Sequence, residues 1–456
     1  MAESLGYTDA ATYLNQPNFH RTTAYTSRTL CNKQLTVSYA VGGAFDVPDA
    51  RTLVWINGLG RSLLSSRSFD SNRSMTVLPG GHRLSIAILD GICASFGVRV
   101  ITFDRPGAGL SSTATEVPLR QRVVVTYESL MAILKQEQIK ECSILSHSNG
   151  VIYSLYTVAR LLEQATEDGA FKVKVRHWIL TSPWVASDVS GSMFGLAKWL
   201  PEQLTSRLGT LTTWGLSAVD VGTGIWQGMN GIVNWSGGLS NGLSSSVSAT
   251  QPLSATPATA NDSSPPFDSS STMSSAQQKY TNYVRSQAKK PPHKRFFPGL
   301  FIGAGVFPKA MSMALAEQND AMGQEALLCL RKADGVYWSW LGGRGIGDDG
   351  QISVIAEREL YRLGFERVRS AIRQMTMETG RPTQIRVCLW QAGDDGMVPQ
   401  QGRQFLKDLL VDSLGLVDEQ DSHMIDEAGH DDILSLECVM RPLLEMVASA
   451  QINEFE

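Results

Sequence analysis

A serine hydroxyl is a weak nucleophile until it is held still, exposed and paired with a base. Ser148 stands where that treatment is expected. It lies in Ser146-His147-Ser148-Asn149-Gly150, after the apolar stretch at 142–145 and before Val151-Ile152-Tyr153-Ser154-Leu155-Tyr156. A short apolar run, a serine between small residues and then a helical pattern describe a strand that turns sharply into a helix, with the serine at the turn. Small neighbours matter because other backbone must approach a strained turn closely. The pattern is S-x-S-x-G, with Ser146 where the G-x-S-x-G elbow has its first glycine, and taken alone it is a weak signal.

The base, and a group to orient it, must come from elsewhere in the chain. Two stretches qualify, Gly393-Asp394-Asp395-Gly396-Met397-Val398-Pro399 and Gly429-His430. The first follows a strand-like run at 384–391 and the second a short one at 423–426. In a parallel sheet the C-terminal ends of strands share one edge, so Ser148, Asp395 and His430 can meet despite their separation. Their chain order, Ser then Asp then His, is one of the orders in which such a triad is built.

The elements that must position them follow from periodicity. Residues 34–41 alternate as a strand with one buried face. Residues 51–56 and 98–103 are more continuously apolar, as fully buried strands are, and 172–180 alternates before becoming apolar. Helical spacing fills 83–96, 119–138 and 150–165, then 401–414 and 433–449. This alternation predicts an α/β fold, a mostly parallel sheet with helices on both faces.

The rhythm stops after Pro183 and resumes at Gln384. Residues 188–235 are apolar but punctuated by aromatic residues and glycine. Residues 236–276 are mostly Ser, Thr, Gly, Ala and Pro, too poor in large apolar side chains to offset the entropy of ordering, and are expected to be disordered. Helical periodicity returns over 307–376, including 314–331 and 352–372. The expected organisation is a loosely docked polar arm at 1–27, a core formed by 28–185 and 381–456, and an insertion at 186–380.

Composition narrows the function classes. The 456 residues are 43% hydrophobic, enough for a large core, and carry a formal charge of -4. The one basic block, Lys289-Lys290-Pro291-Pro292-His293-Lys294-Arg295, is too short to suggest nucleic acid as a partner. Six cysteines, far apart along the chain, fit reduced thiols better than a disulfide framework or a zinc site. No basic start with an apolar run marks a signal peptide. No stretch reaches the ~18 apolar residues of a membrane span. A soluble cytoplasmic protein is expected, with peripheral membrane contact left open and the oligomeric state unread.

Four stretches in order at predicted strand ends resemble the α/β-hydrolase superfamily. They are Asn57-Gly58-Leu59-Gly60, Asp104-Arg105-Pro106-Gly107-Ala108-Gly109, the Ser148 elbow, and Gly393–Pro399 together with Gly429-His430. The resemblance covers roughly residues 30–185 and 380–450 and leaves the insertion unmatched. It implies Ser148 as nucleophile, His430 as general base and acid, and Asp395 as orienter. Asp395 is preferred to Asp394 because the family's acid usually stands four residues before a proline; Asp188, after the preceding strand, is a further option. The oxyanion hole implied is the pair of backbone amides of Leu59 and Asn149. Asn57-Gly58 replaces the His-Gly often found at the start of that loop. No cofactor and no metal are implied, and an insertion after the sixth strand is expected to form a helical cap over the serine.

The other conspicuous residues read as structural. His147 is expected to pack beside the elbow, and His423 to pack or hydrogen-bond in the core. His20, His82 and His177 have no acid or cysteine at ligand spacing, which argues against a metal site. The Asp104-Arg105-Pro106-Gly107 turn shapes the route out of a strand. Gly342-Gly343-Arg344-Gly345-Ile346-Gly347 follows no strand and is a weak nucleotide-binding signal. Trp199, Trp214 and Trp226 either line an apolar acyl pocket or pack within the cap itself. A membrane-surface helix at 193–214, with Lys198 and Arg207 reaching out, is disfavoured by its interrupted phasing.

The activity expected is hydrolysis of a carboxylic ester, thioester or amide of a small, apolar acyl substrate through an acyl-enzyme on Ser148. A serine at the elbow argues against the branches of the superfamily that use a carboxylate nucleophile. An acyltransferase using the same triad, and a binding protein with a silent triad, are the alternatives.

Overall fold

The computed structural model describes residues 10–58, 60–62, 77–79, 81–165, 171–185, 189–190, 306–317, 320–329, 357–380, 385–426 and 428–449. Its centre is an eight-stranded sheet. The strands of that sheet are β1 (Arg21–Ser27), β2 (Lys33–Gly43), β3 (Arg51–Ile56), β6 (Val98–Phe103), β7 (Glu141–His147), β8 (Lys174–Thr181), β9 (Arg386–Ala392) and β10 (Ser422–Ile425). A separate hairpin joins β4 (Gly60–Ser62) to β5 (Val77–Pro79).

The sheet order is β1-β2-β6-β3-β7-β8-β9-β10. β2 runs antiparallel to both of its neighbours, and every other pairing is parallel. Among the sheet strands the second is reversed and the third and fourth exchange places, which is the arrangement of the α/β-hydrolase fold. The chain leaves β3 for β6 on one side and reaches β7 on the other, so the sheet has its switch of direction where β3 and β7 meet. A crevice opens outside the strand ends at such a point.

The central strands are rich in apolar residues on both faces because both faces are covered. Successive residues of β3 show it: Val54 and Ile56 enter the core under α3 (Arg122–Gln136) and α4 (Gly150–Gln164), whereas Leu53 and Trp55 enter the core on the other face. That second face is covered by α1 (Ala10–Leu14), α2 (Asp90–Ser95) and α9 (Glu437–Ser449). Among the described residues three α-helices lie between β8 and β9 in the chain: α5 (Val306–Ala316), α6 (Asp320–Cys329) and α7 (Glu357–Thr379). α7 packs along α4, with Arg367 paired to Glu163 at 2.6 Å, and touches β8, where the Trp178 and Phe365 rings are 5.6 Å apart. The last helix before β10 is α8 (Gln400–Lys407).

The structure corrects several expectations. Residues 10–27 are not a loosely docked arm. Tyr13, Leu14 and Phe19 are buried, the Tyr13 hydroxyl donates to Asp90 at 2.7 Å, and β1 pairs along its whole length with β2. Polar composition concealed this because three well-placed apolar side chains anchor the segment. The 83–96 pattern divides into a 3-10 segment, Arg83–Ile88, and α2, and 119–138 opens with a 3-10 turn, Leu119–Gln121. The 401–414 helix widens into a π-helical turn at Asp408–Ser413. The 314–331 pattern falls on parts of two helices, α5 and α6. Residues 191–305, with the Ser/Gly/Pro-rich stretch, Trp199, Trp214 and Trp226, lie outside the described residues, as do Asp188 and Leu59.

Candidate active site

β7 delivers Ser148 to the switch point and α4 begins two residues later. Ser148 has a φ of +53°, a left-handed conformation that a non-glycine residue occupies at a cost. The surrounding backbone holds it there. Its amide donates to the Thr181 carbonyl at 3.1 Å, and its carbonyl accepts from the Trp184 amide at 3.0 Å. Two glycines make room. A Cβ on Gly150 would lie 2.2 Å from the Ile56 carbonyl oxygen, and one on Gly58 would lie 2.6 Å from the Ser148 Cβ. Ser146 is fully buried, so the first small position of the elbow serves close packing and a serine fits it.

His430 and Asp395 come together at the same sheet edge. His430 Nδ1 donates to Asp395 Oδ2 at 2.7 Å. The other carboxylate oxygen, Oδ1, accepts from the amides of Met397 and Val398, each at 2.8 Å. An ionised carboxylate only accepts, so this contact assigns the proton to Nδ1 and leaves Nε2 as the basic nitrogen. Asp395 is buried and Asp394 is exposed, so of the two adjacent carboxylates it is Asp395 that orients the imidazole.

His147, expected only to pack, links the elbow to this pair. Its ring lies 5.1 Å from that of His430, its Nδ1 donates to the Thr181 carbonyl at 3.1 Å, and its Nε2 is 3.3 Å from Asp431 Oδ1. His423 stacks on Trp390 at 3.9 Å, a packing role as expected. The Asn149 amide, at the N-cap of α4, makes no hydrogen bond to another backbone group among the described residues and stands next to the nucleophile position.

Two buried charge clusters were not visible in the sequence. Beside the elbow, Arg105, Arg122, Tyr153 and Asn149 converge on Glu325 of α6. The Asp104–Gly107 turn is therefore more than a bend in the chain. On the opposite side of that turn, Arg83 bonds both Asp104 and Glu317, and His82 Nε2 approaches Glu317 Oε2 at 3.2 Å. Burial pushes the Glu317 carboxyl up, but hydrogen bonds from His82 and Arg83 and the charge of Arg83 outweigh it and hold it at about 2. His82 does have acid partners, brought together by tertiary structure. Their geometry resembles a metal ligand set. The Arg83 guanidinium already bonds both carboxylates, and His82 Nδ1 accepts from the Leu84 amide at 3.1 Å, so the cluster is an internal ion network.

No protein-family model matches the chain, and no curated protein matches it. Solved structures similar to it include an N-acyl homoserine lactonase, AidH, complexed with N-hexanoyl homoserine, at 12% identity over 94% of this chain and 95% of that one, TM-score 0.39. The 2-hydroxy-6-oxo-6-phenylhexa-2,4-dienoate hydrolase of a Rhodococcus strain is similar at 13% identity over 94% and 98% of the two chains, TM-score 0.40. A thermophilic esterase from Thermogutta terrifontis is similar at 11% identity over 94% and 100%, TM-score 0.40. Likeness at this level carries no argument about activity. The α/β-hydrolase fold of this chain is defined by its strand order and its elbow.

Proposed function

We propose that the protein is a serine hydrolase that cleaves a carboxylic ester, thioester or amide through an acyl-enzyme on Ser148. The reading is carried by one observation: a left-handed serine at a strand-to-helix turn lies at the same sheet edge as a histidine whose Nδ1 is hydrogen-bonded to a buried aspartate. His430 Nε2 takes the proton as Ser148 Oγ attacks the acyl carbon, and Asp395 stabilises the imidazolium that forms. The C–O, C–S or C–N bond of the tetrahedral intermediate then breaks, and the leaving group departs with the proton from His430. Water repeats the sequence on the acyl-enzyme and frees the acid. The negative charge on the former carbonyl oxygen is met by the amides of Asn149 and Leu59.

No metal or cofactor takes part in this sequence of steps. The substrate is a small molecule with an apolar acyl group, chosen by the segment between β8 and β9 acting as a cap. Widely spaced cysteines support a cytoplasmic location, and among the described residues no helix is long and apolar enough to cross a membrane. Turnover of 4-nitrophenyl esters of graded chain length tests the reading. Wild-type protein should hydrolyse them and Ser148→Ala should not; equal rates for the two contradict it. Turnover only with an added alcohol or amine makes the enzyme an acyltransferase.

A further inference from the structure

Glu325 lies on α6, in the segment between β8 and β9, and its side chain is fully buried. A carboxylate in that position is costly unless its lone pairs are filled and its charge is matched. Oε1 accepts from Arg105 Nε at 3.1 Å, from Arg122 Nε at 3.3 Å and from the Tyr153 hydroxyl at 2.6 Å. Oε2 accepts from the Asn149 side-chain amide at 3.1 Å. Burial, with Glu325 beside it, pushes the Tyr153 phenol well above its ordinary range, so it stays a donor.

Two of these partners lead to the elbow and to the loop after β3, and Arg122 reaches the Pro106 carbonyl in the turn after β6. Asn149 follows the nucleophile directly. Arg105 donates from Nη1 to the Asn57 carbonyl at 2.6 Å and from Nη2 to the Gly58 carbonyl at 3.0 Å. The guanidinium lies over the Tyr153 ring at 4.6 Å, and a Cβ on Gly81 would come within 2.5 Å of its Nε, so it has no room to turn. Both backbone stretches that border the reacting oxygen are thereby tied to a single carboxylate.

We infer that Glu325 is a positioning residue for the oxyanion hole, so that docking of α6 completes the catalytic machinery of the core. The inference rests on the serine-hydrolase reading above. Glu325 touches no reacting atom; it acts by holding the side chain of Asn149 and, through Arg105, the Asn57-Gly58 turn. Loss of its charge should slow the chemical step without weakening binding of a small ester, because hydrogen-bond donors displaced by a fraction of an ångström lose strength toward the transition state first.

The test compares full-length wild type, Glu325→Gln, Asn149→Ala and Glu317→Gln, with 4-nitrophenyl acetate turnover and the rate of acylation by a small fluorophosphonate as readouts. Glu317→Gln breaks the other buried ion network on this segment, away from the elbow, and serves as the control for general loosening. Glu325→Gln should lower kcat about 10–100-fold with KM little changed, and Asn149→Ala about 10-fold or more. Glu317→Gln should lower Tm with kcat near wild type. Wild-type kcat in folded Glu325→Gln overturns the inference, as does an equal loss in Glu317→Gln. If Glu325→Gln does not fold, Asn149→Ala decides, since it removes a neutral side chain and only one of the four bonds to Glu325; unchanged kcat there overturns the inference. Failure of wild type to react with the fluorophosphonate overturns the serine-hydrolase reading itself. Reaction of wild type and Glu325→Gln at equal rates overturns only the role of Glu325.

Discussion

His430 Nδ1 and Asp395 Oδ2 are 2.7 Å apart, although 35 residues separate them in the chain. Two backbone amides hold the other oxygen of the carboxylate, so its direction is set before any substrate arrives. The contact fixes the imidazole tautomer that a general base for Ser148 requires.

Replacing Asp395 by Asn should therefore lower kcat by about 10³–10⁴-fold, because the amide can present a donor to Nδ1 and favour the wrong tautomer. The exposed neighbour offers the comparison: Asp394→Asn should stay within a few-fold of wild type by the same ester assay. A larger loss at Asp394 would reverse the assignment.

Gly58 is needed for space beside the nucleophile. In Gly58→Ala the new methyl would start 2.6 Å from Ser148 Cβ and 3.2 Å from its Oγ, so the elbow must move. A displacement of about 1 Å costs on the order of 100-fold in rate. Steady-state kinetics on 4-nitrophenyl acetate, beside an unchanged far-UV circular dichroism spectrum, should show that loss; full activity would mean that the turn accommodates the methyl without moving Ser148.

The φ of +53° at Ser148 places a non-glycine residue in a strained region of the backbone. Ser148→Gly and Ser148→Ala should both be inactive, but the glycine variant should be the more stable by about 1 kcal/mol, since only glycine occupies that region freely. Urea midpoints of the two variants measure it. Equal midpoints would show that the surrounding hydrogen bonds impose no strain.

Much of this arrangement was legible in the sequence. β3 and β6 are buried on both faces, so each appears as a largely apolar run that stops at a turn, Asn57-Gly58 or Asp104-Arg105-Pro106-Gly107. The Ser148, Asp395 and His430 stretches were each marked by a strand-like run ending in small or turn-forming residues. β1 was hidden because Arg21–Ser27 has half-exposed alternation and few large apolar side chains, and only its pairing with β2 makes it a strand. Glu325 was hidden for another reason. On an isolated helix a glutamate reads as a solvated face, and the partners that bury it stand 172 to 220 residues away.

Glu317 gives a pH dependence with a definite sign. Its carboxyl has an ordinary value of 4.5 and is held at about 2 in the folded protein. A depressed carboxyl contributes stability that is fully present above pH 4.5 and is lost as the pH falls toward 2. Denaturation midpoints across that window should fall less steeply for Glu317→Gln than for wild type, with the variant less stable at neutral pH. Parallel curves would show that the Arg83 and His82 contacts do not favour the charged form.

The central claim is that Ser148 is a nucleophile activated by His430. Incubation with a fluorophosphonate followed by peptide mass mapping tests it most directly. The account predicts one phosphonyl adduct per chain, on Ser148, absent from Ser148→Ala and formed far more slowly in His430→Ala. Folded wild-type protein that takes up no adduct, or an adduct retained in Ser148→Ala, would contradict it.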